Sequence, residues 1–450
     1  MTNEKLLNLF GVGVKYGLYA ILLMPLVFWP RALYGFMTPK FVLFQVLVEI
    51  VFAAWLILKI IDFRNRGIFD FGNQLFFRKN YILLVLFGFL IVSFISAIFG
   101  VDFGRSFWGI GARMTGLFAE LHFFAWFLVL VGTFRSGSTR TEADQRGNNY
   151  QRESAKNPHI SASMYLNFSF AVSILVALSA FFQNTGWRLV YGSTFFNNPT
   201  FVAPYLIFHF FWGLYQSVIS GSTKRWFFGS GTALLAFVIF LGEIRGAILG
   251  LFIGLIVFGL GLIFTDAIKR RFKILIFAFF IAIFVGLAGL WFARESAFVQ
   301  NISALKRLTE VSLWQTTVQT RLIVWRLAFE GFKERIWFGA GPENFNYVFN
   351  FHYNPTLLKY GLGETWFDKP HNAFLEIFTE NGIMGGLAYL LILIIAAFTL
   401  FKLFKSSQKI LALTLASAFA SYLSSMFFSF DSFGSWFGFY LFLAFLASHD

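Results

Sequence analysis

The segment Tyr81–Gly100 reads YILLVLFGFLIVSFISAIFG, which is twenty residues without one charged side chain. An α-helix of this length is about 30 Å long, the thickness of the hydrocarbon core of a bilayer. An uninterrupted apolar segment of this length therefore predicts a helix that crosses a membrane. The rest of the chain repeats the pattern, with apolar blocks of similar length separated by shorter polar stretches.

The composition agrees with this interpretation. Of the 450 residues, 58% are hydrophobic and only 13% are charged, whereas soluble domains are about half apolar and about a quarter charged. The chain is therefore predicted to be an all-α, polytopic membrane protein of about twelve transmembrane helices. The predicted spans are Tyr16–Trp29, Phe41–Ile61, Tyr81–Gly100, Leu117–Phe134, Tyr165–Phe182, Phe201–Ser220, Trp226–Gly242, Ala247–Phe264, Ile274–Ala293, Ile383–Phe404, Ile410–Phe428 and Phe433–Ala447.

The basic residues indicate how the chain is oriented. The net charge is +14, but the 36 Lys and Arg residues are spread over many connections and form no single patch, so a nucleic-acid partner is not expected. Most of them lie on alternate short connections, which predicts that these connections and both termini are cytoplasmic. The chain has no cysteine, which excludes disulfides, thiol nucleophiles and Cys metal sites.

This orientation divides the chain into three parts within one integral membrane domain. Residues 1–293 carry the first nine predicted spans, including a polar cytoplasmic linker at 135–159 without apolar periodicity. Residues 294–370 form a long extracytoplasmic loop between the ninth and tenth spans. Residues 371–450 carry the last three spans.

The long loop is predicted to contain a helix. Leu322, Trp325, Phe329 and Phe332 recur at intervals of three to four residues, which predicts an amphipathic helix at about Thr316–Arg335. The many aromatic residues of the loop indicate that it folds against the membrane surface.

His371 is the most informative single residue. It follows the long loop directly and precedes the tenth span, so it is expected at the outer membrane interface. A neutral imidazole there can accept a proton from a sugar hydroxyl near neutral pH. From its spacing alone, His371 could equally be a polar residue that marks the start of a helix.

Five motifs, taken in their order along the chain, resemble the O-antigen ligase and polymerase superfamily. They are GSTFFNNP (192–199), EIRGA (243–247), TRLIVWRLA (320–328), WFGAGPENF (337–345) and HNAFLEIFTENGIMGG (371–386). With about twelve spans and one long loop, the resemblance covers most of the chain.

The resemblance implies a GT-C-like fold in the bacterial cytoplasmic (inner) membrane. It implies an enzyme that transfers a glycan from undecaprenyl pyrophosphate to an acceptor hydroxyl, such as that of a lipid A core, on the outer face of the membrane and with inversion. His371 would be the base, Arg321, Arg245 and Arg188 would bind the pyrophosphate, and the supporting residues would be Glu380 and Asn372. No cofactor is implied.

The arginines also have structural explanations. Arg321 could lie at the solvated edge of the loop helix, and Arg245 could have a purely structural role as the ion-pair partner of Glu243. A guanidinium in a hairpin too short to leave the bilayer surface is nevertheless a functional candidate, which favours Arg245. Arg326 is rotated by about 140° from Arg321 on a helix and is expected to be structural.

Polar residues inside predicted spans form a further group. Glu49, Glu120, His122 and His209 could bind the lipid carrier or relay protons, but internal pairing among them is the favoured explanation. Arg113 lies in a segment that resembles a feature of the same superfamily, and the sequence gives it no mechanistic role.

Metal and nucleotide chemistry receive no support from spacing. The chain has no Walker loop, no dinucleotide fingerprint and no His-Glu-x-x-His motif. Asp102, Glu343, Glu364 and Asp368 are carboxylates expected on the outer face, but their spacing does not indicate a metal site. A metal-independent enzyme is predicted.

Three functions remain open at this point. A ligase would transfer the glycan to a terminal acceptor and is favoured by the form of the long loop. A polymerase would transfer it to another lipid-linked repeat. A flippase or transporter of a lipid-linked oligosaccharide also has many spans, but it needs neither the long loop nor basic residues and a histidine on one side of the membrane.

Overall fold

The computed structural model describes residues 3–29, 31–66, 80–135, 160–184, 195, 196, 198–265, 269–302, 305, 306, 309 and 316–449. The predicted linker at 135–159 lies outside the described residues, except for Arg135. The chain is helical nearly throughout these ranges, with one pair of two-residue parallel strands, β1 (Phe134–Arg135) and β2 (Ile160–Ser161).

The α-helices are numbered here in chain order. They are α1 (Asn3–Ile21), α2 (Thr38–Arg66), α3 (Tyr81–Phe99), α4 (Phe103–Trp108), α5 (Leu117–Thr133), α6 (Ala162–Asn184), α7 (Pro199–Ile219), α8 (Ser222–Leu241), α9 (Arg245–Phe264), α10 (Arg270–Phe292), α11 (Ala297–Asn301), α12 (Thr316–Glu334), α13 (Phe345–Phe351), α14 (Ala373–Lys405), α15 (Lys409–Met426) and α16 (Phe433–Ala447). Short 3₁₀ helices occur at Met24–Leu26, Pro355–Tyr360 and Leu362–Glu364.

Membrane-spanning helices dominate this architecture. Within the described residues, nine helices are long and apolar enough to cross a bilayer, and α5 and α16 are shorter apolar helices. The prediction of an all-α polytopic membrane protein is confirmed. The first predicted span differs from the structure, since α1 ends at Ile21 and a 3₁₀ turn that contains Pro25 follows it. Proline lacks a backbone N–H and cannot continue the helix there.

Small residues allow α9 to pack closely on α15. Gly250 and Gly254 lie one turn apart on α9. A Cβ atom on Gly250 would lie 2.5 Å from Ser421 O, and one on Gly254 would lie 2.7 Å from Ser417 O. Glycines at this spacing let two helix backbones approach each other inside a membrane. The contact fixes the start of α9, and therefore Arg245, relative to the end of α15.

The helix α14 is broken at its entrance. Gly382 has φ 65° and ψ −166°, a backbone conformation that glycine adopts without strain. A turn of the long loop pairs with the break, because Ile383 N donates to Ile336 O (2.7 Å) and Gly341 N donates to Glu380 O (2.7 Å). The motifs at 337–345 and 371–386 are therefore two halves of one packed unit.

The predicted loop helix is confirmed as α12, but its buried face differs from the expected stripe. Leu322 and Phe329 are exposed, whereas Trp325 and Phe332 contact Phe427 and Phe378. The residues of α12 that are buried are Thr320, Val324, Leu327, Ala328 and Gly331. The close contacts with α13 and α14 are made at Gly331, against Val348, and at Ala328, whose carbonyl accepts from Thr379 Oγ1.

Candidate active site

A cavity of about 540 Å³ lies where α7, α9 and α12 begin, next to the segments that precede α14 and follow α15. Arg245, Arg321 and His371 all line it, together with Glu243 and Phe430. We call it the arginine cavity. Three side chains predicted from separate motifs are therefore brought together, while Arg188 lies outside the described residues. The volume is within the range of about 300–1,000 Å³ that is usual for ligand sites.

Arg245 is the first residue of α9 and follows a tight hairpin. Gly242 ends the preceding helix α8, and Glu243 has φ 54°, a left-handed conformation that is uncommon for residues other than glycine. The hairpin thus turns within three residues and directs both Glu243 and Arg245 into the arginine cavity. Strained backbone of this kind tends to occur at functional sites.

Arg321 enters the cavity from α12. It is half-buried, and burial together with the positive charge of Arg245 lowers the pKa of Arg321, while Glu364 has the opposite effect. A guanidinium remains protonated in spite of such shifts. Two nearby cations in a partly buried space repel each other, and a bound anion would relieve that repulsion. Arg326 on the same helix is exposed and does not line the cavity.

His371 lies in a turn immediately before α14. Its Nδ1 is 3.2 Å from Lys369 O, which indicates that Nδ1 carries the proton and donates it to this carbonyl. The ring packs edge-on against Phe430 and Phe367, with centroids 5.0 and 5.8 Å away. In this tautomer Nε2 keeps its lone pair and can accept a proton.

The charge state of His371 follows from its surroundings. Burial lowers its pKa to about 4, and the nearby positive charge of Arg321 adds to the effect. The imidazole is therefore neutral at physiological pH, as a general base must be. A base with so low a pKa is weak, and an anion bound beside Arg321 would raise its pKa.

Contacts on both sides of His371 hold the turn 368–372. Arg113 forms a two-point ion pair with Asp368, at 2.6 and 2.9 Å. Trp325 Nε1 donates to Pro370 O (2.9 Å). Asn372 caps α14, accepting from Phe374 N and Leu375 N. His371 itself has φ 55°, so these contacts hold it in a conformation that costs free energy.

Lys369 is the most heavily paired residue of the turn. Its Nζ lies 2.6 Å from Glu343 Oε1, 2.6 Å from Glu376 Oε1 and 3.4 Å from Glu380 Oε1. Burial alone would lower the pKa of Lys369, but these carboxylates raise it well above its usual value. Burial alone would raise the pKa of Glu343, yet Lys369 and a hydrogen bond from Thr115 hold it below its usual value.

Sequence reasoning missed Lys369 and left Arg113 without a role. The structure places the guanidinium of Arg113 4.3 Å from the centre of the Phe430 ring and against Asp368. Glu343 and Asp368, which were weighed as metal ligands, form ion pairs instead. The available signal was Glu376 and Glu380, which are four residues apart on one helix face and call for a buried cation.

The two supporting residues have different surroundings. Asn372 caps α14 next to His371. Glu380 lies behind the turn, outside the arginine cavity, and accepts hydrogen bonds from Glu343 N (2.8 Å) and Phe345 N (3.2 Å). It therefore ties the loop turn that precedes α13 to α14.

The other polar residues within helices lie away from the arginine cavity. His122 Nε2 is 3.0 Å from Glu49 Oε1, and His209 Nε2 is 2.7 Å from Ser169 Oγ. Both histidines therefore have internal partners. Among the described residues, no group of three or more histidines and carboxylates is arranged to hold a metal ion.

The match to a known family falls on the same region. Residues 230–390 match the family model described as O-antigen ligase. This segment contains Arg245, Arg321, Lys369 and His371, as well as the loop turn that pairs with the break in α14. No curated protein matches the chain. Residues 230–390 are therefore similar to the O-antigen ligase family, and the long apolar helices on both sides of this segment indicate a membrane protein.

Proposed function

We propose that this protein transfers a glycan from undecaprenyl pyrophosphate to an acceptor hydroxyl on the outer face of the bacterial cytoplasmic membrane, with both termini in the cytoplasm. The observation that supports the proposal is the shared cavity of Arg245, Arg321 and His371. Two guanidinium groups suit a diphosphate, because each can donate two parallel hydrogen bonds to phosphate oxygens.

In this proposal the donor's pyrophosphate lies against Arg245 and Arg321. His371 Nε2 removes the proton of the acceptor hydroxyl, and the acceptor oxygen attacks the anomeric carbon from the face opposite the pyrophosphate. The bond from the anomeric carbon to the phosphate oxygen breaks, so the configuration inverts. Undecaprenyl pyrophosphate leaves with the bonding electrons, and the two arginines stabilise the negative charge that develops on it.

The lipid carrier would approach from the bilayer side. Leu249 and Phe428 also line the arginine cavity, and Leu249 lies near the start of a helix that is apolar enough to span the membrane. An isoprenoid chain would pack on such side chains while its pyrophosphate reaches the arginines. The glycan and the acceptor would enter from the long loop.

Reconstitution in liposomes tests the proposal. Donor and acceptor are supplied on one side only, and we expect formation of a glycosidic bond without movement of the donor across the bilayer. Movement without transfer would support the flippase alternative and contradict the proposal. Because we propose a metal-independent reaction, transfer should continue at the same rate in excess EDTA.

The acceptor is proposed to be a terminal one, such as a lipid A core. A polymerase would use the same cavity and the same base, so the accumulated intermediate is the informative quantity. In a deletion strain, loss of a ligase leaves long chains on undecaprenyl pyrophosphate, whereas loss of a polymerase leaves single repeats. Single repeats would contradict the ligase assignment.

A further inference from the structure

A second space lies behind the turn 368–372. It has a volume of about 60 Å³ and is lined by residues of α3, α5, α14, α15 and α16 and of the connecting segments. Lys369 and Ala373 line it, whereas His371 lies between them in sequence and lines the arginine cavity. Likewise, Asp431 lines this second space, whereas its neighbour Phe430 lines the arginine cavity. We call this space the acidic pocket, and only these short segments separate it from the arginine cavity.

Carboxyl groups outnumber cations in the lining of the acidic pocket. Lys369 is the one basic side chain among the described lining residues. The carboxyl groups are Glu120, Glu343, Glu376, Glu380 and Asp431. One ammonium cannot neutralise five carboxylates, and uncompensated buried charges are strongly unfavourable.

Two of the carboxylates have enough donors to remain ionised. Glu343 accepts from Lys369, from Thr115 Oγ1 (2.6 Å) and weakly from Ile110 N (3.4 Å). Glu380 accepts from two backbone N–H groups in addition to Lys369. These two and Lys369 already carry a net charge of about −1. The remaining carboxyl groups therefore need another source of positive charge.

Glu120 and Glu376 each have an oxygen without a partner. Both residues are only 8% exposed, and the Oε2 atom of each has no hydrogen-bond partner among the described residues. Both side chains line the acidic pocket. Leaving an anionic oxygen buried and unpaired is costly, whereas a protonated carboxyl can donate a hydrogen bond to water.

The volume of the acidic pocket suits water and protons. A single water molecule needs roughly 10–15 Å³ of such space, so a few molecules fit. No set of three histidines or carboxylates in the described part of the chain is arranged as metal ligands, which argues against a metal ion as the counter-charge.

We propose that the acidic pocket is a proton-binding site, in which Glu120 and Glu376 carry protons at neutral pH and form hydrogen bonds to enclosed water. Loss of these protons would add negative charge beside Glu343 and Glu380 and weaken the ion cluster that holds the turn of His371. The titratable and charged groups that face the pocket are Glu120 from α5, Glu343 and Lys369 from the long loop, Glu376, Glu380 and Tyr389 from α14, Tyr422 from α15, Asp431 from the turn before α16, and Tyr440 from α16.

Infrared spectroscopy tests the proposal without any assay of transfer. The protonated carboxylic acid has a C=O stretch that is separate from the carboxylate bands and shifts in D₂O. In difference spectra of the full-length protein at pH 7, Glu120→Gln and Glu376→Gln should each remove part of this band. Glu295→Gln, at an exposed carboxylate, is the control and should change only the carboxylate bands. Loss of carboxylate absorption alone from both pocket variants would overturn the proposal.

The pH dependence of thermal stability provides a second readout. A buried carboxyl that is protonated in the folded state stabilises it at low pH, and this contribution is lost as the pH rises. We expect Tm of the wild type to fall towards alkaline pH, and Glu120→Gln to reduce that fall. Replacing Na⁺ or K⁺ by choline should leave Tm unchanged. If an alkali ion raises Tm, or if both Gln variants fail to fold, the counter-charge is not a proton and the proposal is wrong.

Discussion

The arginine cavity and the acidic pocket lie on the two sides of one turn, and their charges are opposite. The cavity is large and has two guanidinium groups and one carboxylate among its ionisable lining residues besides His371. The pocket is small and has five carboxyl groups around one ammonium. The cationic arginine cavity suits an anionic ligand that binds from outside. The acidic pocket behind it instead holds the turn of His371 in place. Substitutions on the two sides should therefore have different consequences.

The largest effect is expected from His371→Ala. General bases contribute roughly 10²–10⁴-fold to rate, and transfer measured in reconstituted liposomes should fall by about that factor. Binding of the donor should change little, because the arginines remain. His352→Ala is the matched control, since His352 lies outside the arginine cavity. Near-normal transfer by His371→Ala would remove His371 from the mechanism.

Lys369→Met should act on stability first. It leaves the carboxylates of Glu343 and Glu380 without their cation and removes a hydrogen-bond donor from Glu376, and breaking a buried ion pair by removing one partner costs about 3–5 kcal/mol. Thermal unfolding in detergent should show a large loss of Tm, and Lys369→Arg should recover part of it because the charge is kept. If Lys369→Met unfolds like the wild type, the ion cluster does not support the turn.

The fold could be predicted because hydropathy is a local signal. Blocks of about twenty apolar residues specify helices without reference to distant contacts. The ion pairs behind His371 could not be predicted from the sequence. Arg113 and Asp368, for example, are separated by 255 residues, and no local pattern indicates that they meet. The three-to-four-residue spacing in α12 predicted the helix, but it could not show that Leu322 and Phe329 remain exposed while Trp325 and Phe332 pack against Phe427 and Phe378.

The candidate site was predictable only to the extent that motifs specify it. Arg245, Arg321 and His371 lie in three separate motifs, and spacing alone could not show that they share a cavity. The sequence was also compatible with Arg321 as a solvated residue at the edge of α12, but in the structure its side chain is half-buried and near the charge of Arg245.

Arg245→Lys and Arg321→Lys should have the next largest effects. Each keeps the charge but loses the two-point geometry for phosphate. Hydrogen bonds to charged groups contribute about 1.5–3 kcal/mol, so we expect kcat/KM to fall by roughly 10- to 100-fold. The control is Arg326→Lys, an exposed arginine on the same helix as Arg321. Equal effects of all three variants would show that the cavity does not distinguish its arginines from a surface one.

Trp325→Phe should have the smallest effect. It removes one hydrogen bond, to Pro370 O, and keeps an aromatic ring against Phe427. A single neutral hydrogen bond contributes about 1 kcal/mol. We expect a few-fold decrease in kcat with KM nearly unchanged, measured by initial rates of transfer. A decrease in donor affinity instead would show that Trp325 acts on binding and not on the position of His371.

The most direct test of the shared site is an NMR titration of His371 in protein labelled at histidine, with His371→Gln used to assign its signal. In the empty cavity burial and Arg321 lower the pKa of His371 to about 4. Undecaprenyl pyrophosphate bound to Arg245 and Arg321 should raise that pKa, because its negative charge favours the imidazolium. A pKa that stays the same when saturating undecaprenyl pyrophosphate is added would contradict the account, because the base and the pyrophosphate would then occupy different places.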